Sequence, residues 1–105
     1  VITCAILATH AQEFHMTHEQ WRWAQDLAEI FPADYDASYE PIWHAGWSDY
    51  EECAWMYVLE KAGVYYVLDY AYSVMSEDNT PYWEPYVVTY ERLCEILEDW
   101  EEHLD

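Results

Sequence analysis

The chain has 105 residues, 53% of them hydrophobic, which fits one domain over 1–105 with a core of its own. Against 22 Asp and Glu stand 3 Lys and Arg, for a formal net charge of −19. That balance excludes direct binding to nucleic acid or an anionic membrane, since nothing is present to neutralise phosphates. It also opposes compaction by self-repulsion, and it implies a basic protein as partner.

In chain order, the opening VITCAILAT is apolar and fits a short strand or a half-helix. It is too short to span a bilayer and lacks the basic flank of a secretory signal. Cys4, Cys53 and Cys94 are odd in number and widely spaced, with no CxxC pair. Three free thiols fit a reducing compartment, so a soluble cytoplasmic protein is expected.

MTHEQWRWAQDLAEIF predicts a helix. Thr17 and Gln20 have the spacing of a capping box, and Met16 and Trp21 that of a hydrophobic staple. Trp21, Ala24, Leu27, Ala28 and Phe31 recur at helical spacing until Pro32 stops the run. Just before it, His10, His15 and His18 gather with Glu13 and Glu19, ligand types that zinc accepts. Their spacing matches no common zinc site, and polar residues belong at a helix start in any case.

PADYDASYEPIWHAGW is expected to be a long loop. Asp34, Asp36 and Ser38 imitate the first ligands of a calcium loop, but Tyr39 replaces its glycine and Ala45 its bidentate glutamate. No cofactor is therefore expected. SDYEECAWMYVLEKAG predicts a second helix, with a Ser48/Glu51 capping box, a Gly63 C-cap and an inner face of Tyr50, Cys53, Ala54, Tyr57 and Val58. In VYYVLDYAYSVM the strand propensity of Val and Tyr competes with helical spacing at Val64, Val67, Leu68, Ala71 and Met75. Period-2 alternation fails at Val67 and Asp69, so the pattern predicts a third helix.

SEDNTPYWEPYVV reads as a second long loop. The last helix has Thr89 as cap, Val88 stapled onto Leu93, and an inner stripe of Leu93, Leu97, Trp100 and Leu104. The fold class expected is mostly α: a small acidic helical domain with long loops rich in Pro, Tyr and Asp.

Two glycines, Gly46 and Gly63, leave no phosphate-cradling loop, and the single lysine, Lys61, sits in LEKAG. No serine occupies a nucleophile elbow, so catalysis is not expected. Tyr35, Tyr39, Trp43, Tyr82, Trp83 and Tyr86 fall in the expected loops, where they are candidate interface anchors.

Charge carries the functional expectation. Glu91, Glu95, Glu98 and Glu102 share one face of the last helix. They span a rise of about 16 Å at about 1.5 Å per residue. One strand of B-DNA sets about five phosphates in that length. Asp99, Glu101 and Asp105 add a second row, and Asp34, Asp36, Glu40, Asp49, Glu51, Glu52, Glu77, Asp78 and Glu84 extend the charge elsewhere. Such a surface can occupy a site shaped for nucleic acid.

KAGVYYVLDYAYSVMSED, residues 61–78, resembles the central helix region of Ocr-type phage antirestriction proteins through Val64 and the Ser73-Val74-Met75 triplet. The acidic last helix with its embedded Trp100 is also similar. The resemblance implies a helical, commonly dimeric mimic of bent B-DNA that blocks DNA-binding defence enzymes. Charge and its spacing make a phage-type inhibitor of a restriction, CRISPR or repair protein the leading expectation. It carries over no individual functional residue, because that family acts through distributed charge. Where this chain has Tyr65, the family often has proline.

The leading alternative is an immunity or antitoxin protein covering a basic toxin or nuclease, whose charge would concentrate around aromatic anchors. A halophilic domain and a metal enzyme built on His10, His15 and His18 are weaker alternatives.

Overall fold

The computed structural model describes residues 17–76 and 79–104, with side chains to Glu102. Helix α1 (His18–Ile30) is followed by strands β1 (Glu40–Ser48), β2 (Glu52–Lys61), β3 (Val64–Ser73) and β4 (Tyr86–Val88), then helix α2 (Tyr90–Leu104). The strands form one antiparallel sheet in the order β1-β2-β3-β4. Among the described residues, one helix packs on each face of that sheet. The expected mostly-α fold is therefore corrected: the two central helices predicted over 48–63 and from 64 onward are a β-hairpin.

The reason lies in burial on both faces. Met56, Tyr57, Val58 and Leu59 are all buried, as are Val67 and Leu68 opposite them. A strand covered on both sides reads as a continuous apolar run, so the period-2 signal disappears. Consecutive buried residues at Val67 and Leu68 then imitate the i+3, i+4 step of a helix. Gly63 misled in the same way. With Ala62 at φ 53° and Gly63 at φ 79°, the turn between paired Lys61 and Val64 has two consecutive residues in the left-handed region. That fits a two-residue hairpin of the I′ kind, in which glycine is as favoured as it is at a helix C-cap.

The other hairpin turn uses the Ser48–Glu52 segment expected to start a helix. Asp49 Oδ1 accepts hydrogen bonds from the backbone N–H of Glu51 and Glu52, both at 2.9 Å, and Tyr50 at the tip is 98% exposed instead of inward-facing. The first expected loop also contains β1 as far as Trp47, and the strand bulges between Pro41 and Trp43.

Two cores result. On one face Ile42, Met56, Val58 and Val67 meet Leu93 and Leu97 of α2, with Ile96, Trp100 and Val88 packed around them. On the other, Tyr57, Leu59 and Leu68 meet Leu27 and Phe31 of α1, ringed by Trp23, Tyr35, Tyr39, Trp55, Tyr66 and Trp83.

Both terminal helix predictions hold in outline. Thr17 Oγ1 accepts from Gln20 N–H while Gln20 Oε1 accepts from Thr17 N–H, so the capping box forms. Thr89 Oγ1 accepts from Arg92 N–H at 3.1 Å. The inner stripe of α1 is corrected: Trp21 is 60% exposed, and Gln20 is buried, donating from Nε2 to the Pro41 carbonyl at 3.0 Å. Met16 and the Leu104 side chain lie outside the described residues.

Candidate functional site

On α2, burial of Leu93 and Leu97 fixes the rotation of the helix, and Glu91, Glu95, Glu98 and Glu102 consequently all face solvent. Arg92 Nη1 reaches Glu95 Oε2 at 2.9 Å, an exposed i, i+3 pair. Such pairs contribute little, so the file keeps most of its negative field. Asp99 is exposed beside it and Glu101 is half-buried; Asp105 lies outside the described residues.

The remaining candidate acids do not converge on α2. Asp34 and Asp36 sit in the turns after α1. Asp36 Oδ1 accepts from the N–H and hydroxyl of Ser38, and Oδ2 pairs with Lys61 at 3.5 Å. The Ser38 bonds chiefly, and then Lys61, hold its carboxyl below the usual range. This carboxylate serves the fold in the place where a calcium loop was considered.

Asp49, Glu51 and Glu52 occupy the opposite end of the sheet, at the β1–β2 turn. The two backbone donors on Asp49 hold its pKa down. Ten residues of β2, about 30 Å at about 3.3 Å per residue, separate the two acidic ends. Glu40 begins β1 half-buried and accepts from Gln20 Nε2 at 3.4 Å. Glu84 is exposed just before β4. Glu77 and Asp78 lie outside the described residues.

The interface aromatics expected from loops divide. Tyr35, Tyr39 and Trp83 belong to the α1-side core, where Trp83 stands edge-on to Phe31, Tyr35 and Tyr39 at 5.5–5.7 Å. Trp43 lies in β1, edge-on to Trp100 at 6.4 Å. Tyr82 and Tyr86 remain exposed, at 67% and 45%.

Sequence reasoning missed the residues that hold the outer edge of β3. Tyr86 donates its hydroxyl to Asp69 Oδ2 at 3.1 Å. Asn79 accepts from Ser73 N–H at Oδ1 and donates from Nδ2 to the carbonyls of Ser73 and Ser76. Between these two attachments lies a groove of about 560 Å³, lined among others by Trp55, Asp69, Tyr70, Tyr82, Glu84 and Trp100. In the sequence, Asn79 is one polar residue of the expected loop SEDNTPYWEPYVV, and nothing in its spacing reports this clamp.

Among the described residues, no group of three or more His, Cys, Asp and Glu is placed to hold a metal ion. His10, Glu13 and His15 of the zinc reading lie outside them. Cys94 is disulfide-bonded and Cys53 is free. The expectation of three free thiols is thus corrected, and with it goes the cysteine argument for a reducing cytoplasm. No described helix is long and apolar enough to cross a membrane.

No family model matches the chain, and no curated protein or solved structure matches it. The segment that resembles the Ocr-type central helix is the β2–β3 turn, strand β3 and the residues after it, so the helical fold implied by the resemblance does not apply.

Proposed function

We propose that this chain is an inhibitor that presents nucleic-acid-like charge to the DNA- or RNA-binding site of a basic protein. Phage-type blocking of a restriction, CRISPR or repair enzyme is the use we favour. The observation that carries the reading is the solvent-facing file Glu91, Glu95, Glu98 and Glu102 on α2, held in line by burial of Leu93 and Leu97. Dispersal of the other acids supports it, because extended charge suits a polyanion-binding cleft better than one compact patch does. Ion pairs drawn from lysine and arginine among the described residues are confined to Lys61–Asp36 and Arg92–Glu95. The proposal rests on this charge geometry and not on the resemblance.

One observation favours a second reading, an immunity-type protein that covers a basic toxin or nuclease. Trp47, Tyr50, Val74 and Met75 are exposed at the hairpin end, beside Glu51 and Glu52. Capture of lysate proteins on the immobilised chain separates the two. The mimic reading expects retained nucleic-acid enzymes that leave at about 0.5 M salt, where screening is strong, and that added DNA displaces. A single protein retained through high salt and indifferent to DNA favours the immunity reading and overturns the first.

A further inference from the structure

The edge of β3 carries a site of a different character from α2. Pairing with β2 shows which backbone groups point outward. Val74 N–H bonds inward to the Glu51 carbonyl, while Ser73 N–H and C=O are held from outside by Asn79. The register of β2 with β3 runs unbroken from Glu52↔Ser73 to Lys61↔Val64, so the odd-numbered residues of β3 face outward. Strand β4 pairs only as far as Tyr86↔Val67. Among the described residues no strand lies beside the outward N–H and C=O groups of Asp69 and Ala71, which open onto the groove.

Around that gap are aromatic rings from Trp55, Tyr70, Tyr82, Tyr86 and Trp100, with the carboxylates of Asp69 and Glu84. Neither carboxylate has a salt-bridge partner among the described residues, and Asp69 spends one oxygen on the Tyr86 hydroxyl. Burial, and then the neighbouring Asp69 charge and hydrogen bond, raise the Tyr86 pKa, against a smaller opposing effect of Arg92. Aromatic faces, carboxylates and carbonyl acceptors together match a planar cation. A guanidinium offers five donors and stacks on rings, and it is more weakly hydrated than an ammonium.

We propose that this groove receives an arginine side chain of the basic partner, seated between Tyr82 and Trp100 with its donors on Asp69, Glu84 and the free edge of β3. The inference rests on the reading of a basic protein partner, and it is independent of whether α2 is the main contact. Arginine in place of a smaller cation is favoured by the groove's size and by its ring-lined walls. The site would give the complex a fixed register that a file of exposed carboxylates cannot supply alone.

The test uses the intact chain and three short, otherwise identical peptides carrying arginine, citrulline or lysine, titrated at about 0.15 M salt while backbone and indole NMR signals are followed. Shifts should concentrate at Trp55, Asp69, Tyr82, Glu84 and Trp100, with the arginine peptide at least about tenfold tighter than the citrulline peptide, as loss of a charged partner implies. E84Q and Y82A, at exposed positions, should each weaken arginine binding severalfold with the melting temperature unchanged. The α2 variant E91Q/E95Q/E98Q/E102Q should bind it as the wild type does. Equal affinity for arginine and citrulline, or for arginine and lysine, overturns the proposal, as do shifts spread over the acidic surface. DNA displacement of captured proteins addresses the wider function separately, so failure of one is not failure of the other.

Discussion

The two faces of the sheet are built from different materials. Under α2 the contacts are mainly aliphatic: Ile42, Val58, Val67, Leu93 and Leu97 close over one another. Under α1 they are rings, with Phe31 edge-on to Trp55 at 6.2 Å and to Trp83 at 5.5 Å, and Tyr39 edge-on to Tyr66 at 5.0 Å. The aliphatic face seats a helix whose outer side is free to carry charge. The aromatic face draws rings from the turn after α1 and from the segment before β4, fastening long connections to the sheet. In a chain of net charge −19, those ring contacts restrain segments that repulsion would otherwise drive apart.

Substitutions sharpen that contrast. Phe31→Ala should cost about 3–5 kcal/mol in urea unfolding and Leu97→Ala about 2–5 kcal/mol, the usual range for buried aromatic and aliphatic truncations. A cost under about 1 kcal/mol for Phe31→Ala would mean that the aromatic layer is dispensable. Asn79→Ala removes the clamp on Ser73 and should cost about 1–3 kcal/mol, the penalty of stranding backbone groups. Amide exchange should rise at Ser73 in this variant; unchanged protection there would show that the clamp does not hold the edge.

The smallest effect is a pH dependence at His44. Its ring lies 4.3 Å from that of Tyr57 on β2 and 6.3 Å from that of Trp23 on α1. Burial lowers its pKa from 6.5, Asp26 of α1 opposes this, and Arg22 adds to it slightly. Since the folded pKa lies below the unfolded one, the unfolded chain takes up the proton first as pH falls. The contribution of neutral His44 is therefore complete above about 6.5 and is lost progressively down to the folded pKa. Wild type should lose stability relative to His44→Phe as pH falls below about 6.5. Parallel pH profiles would contradict the burial of His44. The comparison cancels the many carboxylates common to both chains.

The same contrast explains what the sequence made legible. The helices were readable because their signals are local: Thr17 with Gln20, Thr89 with Arg92, and Leu93 with Leu97 are all within four residues. Their charged outer faces followed, and so did the file on α2. The strands were not, because Met56–Leu59 is buried from both sides and such a run has no period. Gly63 and Asp49 carry turn chemistry that suits a helix end and a hairpin equally. The groove was hidden for a different reason. Asp69 and Tyr86 are brought together by strand pairing, which no local spacing reports, and Trp83 turned inward while its neighbour Tyr82 stayed out.

The central claim is that the carboxylate file on α2 contacts a site made for nucleic acid. Its most direct test is the affinity of the captured partner for wild type and for E91Q/E95Q/E98Q/E102Q across salt from about 0.05 to 0.5 M, where the Debye length shortens several angstroms. The account predicts at least about tenfold weaker binding for the variant at low salt, a flatter salt dependence, and folding as stable as wild type or more so. Equal affinity and an equal salt slope in the two chains would contradict it.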